Sequence, residues 1–340
     1  MMTYIDYKNV VPKTIIALGV LLIALVPVLT ANEATLSMLI LSGIWSVVVM
    51  GFTLVLRAGQ FSLGQAAFMA IGGYTSAILT VQMSWSFWPA FLMAGLVSGL
   101  VALLVGMVVL RVGGIYFSII TLALCEVVRI IAQQWESVTR GTRGLITSQP
   151  NPINLGFYEI NFFINSVPYF YLTLGLVALT GLVFWRIGES RLGRTFAGVA
   201  LNQVLAEHQG MYLMRYRVIA FTVAGVFTGL AGTLYAHFLT VLTPTMLGLW
   251  QSIQILIMSI VGGIGSLVGG PIVGSFILYI FGSYLTRLEI YGIQQLLFGA
   301  VVVLVLLFLP KGTGLVDLWG KFWTKVIWRE KEFEMDEGEE

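Results

Sequence analysis

The sequence predicts an all-α polytopic membrane protein of about ten transmembrane helices, some short or broken, with the N- and C-termini cytoplasmic. Three observations carry this. The 340 residues are 58% hydrophobic and 10% charged, where soluble domains carry roughly 25% charged residues. The apolar residues gather into runs close to the roughly 20 residues that a spanning helix needs. The basic residues collect between alternate runs, as the positive-inside rule requires.

In chain order the runs cover residues 14–29, 36–56, 61–81, 88–110, 115–134, 167–185, 218–239, 246–262, 268–284 and 291–309. The first follows Lys8 and Lys13 and has the pattern of a signal peptide. The second run begins almost at once, so the first reads as a retained helix after a cytoplasmic tail of residues 1–12. The eighth and ninth runs are short and interrupted by glycines. Backbone freed by such breaks is tolerated only where protein or a wet cavity covers it. The transmembrane region is thus residues 13–310, and residues 311–340 form a cytoplasmic tail.

The charges test this count. With the N-terminus inside, only Arg140, Arg143 and Arg287 fall outside, and Arg129 falls within a span. All other lysines and arginines of the 18 fall inside. The outer segment 135–166 is polar and turn-rich, with TRGTRGL, Pro150 and Pro152, and is long enough for a small external cap. In the tail, Leu315, Leu318, Trp319, Phe322, Trp323, Val326 and Ile327 recur at helical spacing around Lys321, Lys325 and Arg329. That pattern predicts an amphipathic helix on the inner membrane surface. The final EKEFEMDEGEE is too acidic to pack a core.

Several function classes drop out. One cysteine, Cys125, permits no intrachain disulfide, and His208 and His237 are too few and too separated for a metal site. No HExxH, no GxSxG and no paired carboxylates within a span are present, so an enzyme is not expected. The glycine-rich VGGIGSLVGGP of residues 261–271 lacks the Lys-Ser/Thr ending of a phosphate-binding loop. Any ATP and its magnesium therefore belong to a partner, and no nucleic-acid partner is expected.

Three segments carry polar chemistry. In residues 57–77, Gly59, Gly64, Gly72 and Gly73 permit sharp turns or close helix contact, and Ser62, Gln65, Tyr74, Thr75 and Ser76 add hydrogen-bonding groups. This is either a non-ideal helix beside a solute path or small-residue packing with hydroxyls bonded back to the helix. In residues 111–135, Glu126 and Arg129 share a helix face and can pair, and Gln133 continues that face. Ionisable groups inside a membrane are costly and point to function, although a pair that only fixes helix register stays open. In residues 186–217, Arg186, Arg191, Arg194, Arg215 and Arg217 bracket a mildly amphipathic stretch ending at Gly210. A short helix displayed there gives a soluble partner something to grip. A weak repeat also links GQFSLGQAAFMAIG (59–72) with GIGSLVGGPIVGSF (263–276), as internal duplication in transporters would produce.

These segments, together with TRGTRGL (139–145), SRLGRTFAGV (190–199), MRYRVIAF (214–221), TGLAGTLYA (228–236), SIQILIMSIVGGIGSLVGGPIVG (252–274) and VLLFLPKGTGL (305–315), resemble the LivM-type permease family of branched-chain amino acid ABC importers. The resemblance runs in order over nearly the whole chain. It implies an inner-membrane subunit that pairs with a second, related permease in a heterodimer. Two cytoplasmic ATPases and an external solute-binding protein would complete the importer. The loop 186–217 would be the coupling segment, with Arg191, Gly193, Arg194, Ala206, Glu207, Gly210 and Arg215 as its coupling residues. One helix over residues 196–209 would present Phe196, Val199, Ala200, Val204 and Leu205 to an ATPase. Of the family's Glu-Ala-Ala-x-x-x-Gly element, Ala206 and Gly210 are present, while Val204 and Leu205 replace Glu and Ala. Leu201, Asn202 and Gln203 replace charged positions, and Gln65 stands where the family often has His. Ser62, Gln65, Thr121, Glu126 and Arg129 are the candidates for the translocation pathway. The competing reading is an ion-coupled secondary transporter acting alone. It needs carboxylates near the midplane, and only Glu126 qualifies, because Glu289 sits at a helix end.

Overall fold

Asn32 opens the first helix of the computed structural model. Its side chain accepts from the Ala34 N–H at 3.1 Å, and Glu33 and Arg57 complement the helix dipole at the two ends of α1 (Glu33–Arg57). The structure describes residues 32–154, 159–160, 162, 166–286, 299–300 and 303. The expected first run, nearly all of the tenth and the tail helix lie outside these residues. Every residue from Ser42 to Val55 is buried. A helix apolar all round belongs in the middle of a bundle, and α1 is that middle.

After it come α2 (Gln65–Val81), α3 (Phe87–Val109) and α4 (Ile115–Gln134). A short α5 (Glu136–Thr139), a 3-10 turn and β1 (Leu145–Ile146) follow, then a small hairpin of β2 (Ile153–Asn154) and β3 (Glu159–Ile160). Next come α6 (Val167–Glu189), α7 (Arg191–Leu201), α8 (Gln203–His208) and α9 (Leu213–Leu239). After β4 (Val241–Leu242) the chain makes a 3-10 turn at Pro244–Leu247, then α10 (Leu249–Gly262) and α11 (Gly269–Thr286). Among the described residues six helical segments are long and apolar enough to cross a membrane, the 3-10 turn and α10 counting as one. Two shorter apolar helices, α2 and α11, accompany them. Contacts of α1 with α2, α6, α9, α10 and α11 make it the hub.

Small residues set the tightest crossings. At the α2–α9 contact a Cβ on Gly72 would overlap the backbone of Gly229, and one on Gly232 would overlap the Met69 carbonyl. Ser98 of α3 bonds the carbonyls of both Phe68 (3.1 Å) and Gly225 (2.9 Å), joining α3 to that pair. In a bilayer, where water exclusion does not drive helices together, such close backbone approach supplies the dispersion contacts instead.

Residue contacts sort the helix ends into two groups. One end of the bundle gathers the α1–α2 link, the start of α4, residues 189–213 and the α10–α11 link. The other gathers the start of α1, the end of α2 and segment 135–166, tied by Ser166 to Glu33 (3.2 Å) and Gln82 to the Val138 carbonyl (2.6 Å). The described part of 135–166 is also tied to the end of α9. β1 pairs with β4, Thr147 donates to Ala236 (2.8 Å), and His237 Nδ1 meets the Ser148 carbonyl at 2.6 Å.

The expected third span starts four residues late. Residues 61–64 are irregular, and α2 begins at Gln65 with 17 residues, about 26 Å at 1.5 Å per residue. The eighth is broken as expected, at Gly248. The repeat has a structural counterpart. Each link opens with a glycine at positive φ, Gly59 (78°) and Gly263 (108°). In each a serine oxygen accepts an N–H at the next helix start: Ser62 from Gly64 (3.2 Å) and Ser266 from Gly269 (2.9 Å).

Candidate functional site

The irregular stretch 59–64 leaves backbone groups that no helix hydrogen bond of its own satisfies. One face of α4 satisfies them. Ser118 donates to the Phe61 carbonyl (2.7 Å), Thr121 accepts from the Leu63 N–H (3.0 Å), and Cys125 contacts the Leu63 carbonyl (3.3 Å). Cys125 also meets Ser252 of α10 at 3.2 Å. Ser62 and Thr121, expected on a solute path, are fully buried and both bond this backbone. The spacing 118, 121, 125 is one helix stripe and was visible in the sequence, but its purpose depends on the neighbouring break.

Gln65 is buried where α1, α2 and α9 meet. It accepts from Thr228 at 3.0 Å, and Gly51 leaves room for both. Its Nε2 has no hydrogen-bond partner among the described residues. Gln60, also buried, lays its amide against the guanidinium of Arg217; with the amide oriented to put its oxygen toward those donors, it accepts from Nε at 2.9 Å and from the terminal nitrogens at 3.3 and 3.2 Å. Gln60 carried no sequence signal, and Arg217 stood out only as a flanking charge.

The basic segment departs from the single helix expected over 196–209. It is two helices, α7 and α8, broken at Asn202, whose backbone is extended and whose side chain caps α8 by accepting from the Leu205 N–H at 3.0 Å. The break splits the expected apolar face. Phe196 and Val199 are buried, whereas Leu201, Val204, Leu205 and Tyr212 are exposed. Ala206 does not face outward. It is 3% exposed and packs with Val199 and Leu213. Gly193 fills a tight corner where a Cβ would overlap the carbonyl of Gly188. Arg191, Arg194, Glu207, Gly210 and Arg215 are exposed, and Arg194 reaches back to the Glu189 carbonyl (3.1 Å). Gly210 has φ 78° and open space around it, so it is required by its backbone conformation and not by a contact. Beside it, Glu207, Met211, Tyr212, Leu213 and Met214 line a groove of about 400 Å³.

We expect Leu205→Asp to weaken capture of a soluble partner that grips this segment by roughly tenfold, as loss of an apolar anchor does in a helix-in-groove contact. Ala206→Arg should instead open the Val199–Leu213 cluster and lower the melting temperature. Pull-down and thermal melting of the purified protein separate the two effects.

The other feature lies on the open face of α4. Arg129 Nε donates to Glu126 at 3.0 and 3.1 Å, and its NH1 donates to Gln133 at 3.0 Å. The expected pair therefore forms, just past the middle of the helix. Around it Tyr116, Ile119, Val127, Ile130 and Ile131 are exposed. Arg129 lies along the break at Gly248, where a Cβ would sit 3.1 Å from its Cδ. By contrast the exposed residues of α3, among them Leu92, Met93, Leu96, Leu100, Leu104, Met107 and Val108, are all apolar.

Among the described residues, six helices long and apolar enough to span a membrane, broken helices around a buried polar junction and glycine-packed crossings define a multi-pass membrane protein. The comparisons sharpen that class. A family model described as the permease component of a branched-chain amino acid transport system matches residues 34–308, and the chain belongs to that family. It is a permease subunit of an ABC importer. It is 30% identical over 303 residues to the high-affinity branched-chain amino acid transport system permease protein LivM of Escherichia coli K12, covering 83% of this chain and 69% of the relative. It is 28% identical over 222 residues to the galactofuranose transporter permease protein YtfT of the same organism, covering 65% and 61%. It is 23% identical over 313 residues to the ribose import permease protein RbsC, covering 86% and 91%. No solved structure matches the chain.

Proposed function

We propose that this subunit forms half of a translocation pathway, paired with a second related permease, for branched-chain amino acids or a related small polar solute. The observation that carries the reading is the Glu126–Arg129–Gln133 row on the open face of α4. A charged pair facing lipid is expensive, and α3 already offers the bilayer a purely apolar surface. The polar face of α4 therefore turns toward the partner permease and the path between them. Arg57, Arg111, Arg186, Arg191, Arg194, Arg215 and Arg217 gather at the end that holds segment 186–217, against Arg140 and Arg143 at the other. That bias makes the first end cytoplasmic in a bacterial inner membrane. Two cytoplasmic ATPases then grip the exposed Leu201, Val204, Leu205 and Tyr212, and they alone handle ATP and magnesium. An external solute-binding protein delivers at the opposite end, beside the stitched cap. Kinship to LivM supports an amino-acid solute, and kinship to the two sugar permeases leaves a hydroxylated solute as the alternative to test.

Reconstitution decides the matter. This chain with its partner permease, ATPases and binding protein in vesicles should take up labelled leucine only when ATP is present. Uptake by this chain alone, driven by an ion gradient, would overturn the reading in favour of a secondary transporter.

A further inference from the structure

We infer that the buried Gln60–Arg217 contact is the joint through which the coupling segment moves the α1–α2 link and, through it, α4. The inference rests on the importer reading above and adds two positioning residues to it.

The coupling segment and the start of α9 are one mechanical unit. Val199 of α7, Ala206 of α8 and Leu213 of α9 share a small apolar cluster, so a push on α7 carries the first turn of α9 with it. Arg217 lies one turn beyond Leu213. It is 7% exposed, and its guanidinium faces the Gln60 oxygen. A buried guanidinium that hydrogen-bonds an amide leaves little freedom, because losing the amide leaves its N–H donors unmatched, with Glu207 acting on it only electrostatically. A second contact runs in parallel: Gly59 lies so close to α7 that a Cβ there would be 3.2 Å from the Ala200 Cα.

Beyond Gln60 the link cannot absorb movement unnoticed. Its carbonyls and N–H groups at Phe61 and Leu63 hang from Ser118, Thr121 and Cys125 of α4. An adjacent face of α4, one turn beyond Cys125, carries the Glu126–Arg129 pair. The α10–α11 link joins the same end. Arg57 of α1 donates to the Gly265 carbonyl, and a Cβ on Gly188, just ahead of α7, would meet Leu267 at 2.9 Å. Thus both links rest on the segment an ATPase would push, but only the first is tied to the helix with the polar face.

The test uses the complete importer in proteoliposomes, with solute taken up per ATP hydrolysed as the readout. Uptake by the parental complex checks the importer reading itself; the variants check the joint. Gln60→Ala and Arg217→Ala should each keep bound, hydrolysing ATPases yet lower the ratio by roughly tenfold, within the range of coupling between sites. The double variant should be no worse than the poorer single. Gln60→Glu keeps an oxygen facing the guanidinium and should restore the ratio. If Arg217→Ala does not assemble, Gln60→Ala against Gln60→Glu still gives the answer. A parental ratio in Gln60→Ala, no rescue in Gln60→Glu, or losses that simply multiply in the double variant would overturn the joint.

Discussion

Gly232→Ala is expected to abolish assembly of the bundle. The added methyl would overlap the Met69 carbonyl of α2. Backbone cannot rotate aside as a side chain can, so α2 and α9 must separate along their contact. Overpacking a tight interior costs about 1–3 kcal/mol and occasionally more, and a backbone clash belongs at or beyond the upper end. Separation would also strain Ser98, which bonds both helices. Gly72→Ala, which meets the Gly229 backbone across the same crossing, should behave alike. Gly175→Ala is the control: among the described residues no atom outside its own helix backbone lies within 4 Å of the added methyl, and alanine is the better helix former by about 1 kcal/mol. Monodisperse yield and melting temperature in detergent are the measurements. Normal yield of Gly232→Ala would mean that α2 and α9 do not touch as described.

The second large effect concerns Glu126 and Arg129. Glu126→Gln and Arg129→Gln are each expected to cut ATP-driven uptake by roughly tenfold or more, since each strands a charge at membrane depth. The double variant removes both charges and should recover part of the loss. The pair is half-buried, with side-chain exposures of 25% and 39%, so solvent in an open pathway softens the penalty relative to a sealed core. Uptake by all three variants, measured at equal permease content, distinguishes the readings. Parental rate and affinity in all three would remove both residues from the pathway. Loss of protein in the singles alone would assign the pair to helix register.

Much of this architecture was legible before any coordinates. The apolar runs marked the described spans to within a few residues, because a spanning segment must satisfy its own backbone and present carbon to lipid. The Glu126–Arg129 pair could be read directly, since residues three apart on a helix are neighbours. The basic segment 186–217 was evident from its arginines. Less was legible where the chain leaves regular structure. The break before Gln65 followed from no strong signal, because residues 61–64 are as apolar as a helix start. Asn202 was counted as an altered charged position, and its capping of α8 turned Ala206 inward and left Leu205 outside.

The sequence by itself therefore determined membrane residence, the order of the spans and the end at which the basic residues gather. Each follows from composition and local periodicity, which every short stretch carries for itself. Only the tertiary structure decided what the polar side chains do. Thr121 supports the backbone of Leu63, Gln65 meets Thr228 and Gln60 meets Arg217, across separations of 58, 163 and 157 residues. Nothing in local sequence pairs residues so far apart. A buried hydroxyl or amide takes whichever partner the helix crossings bring within hydrogen-bond reach, and those crossings are set by where glycine lets two backbones touch.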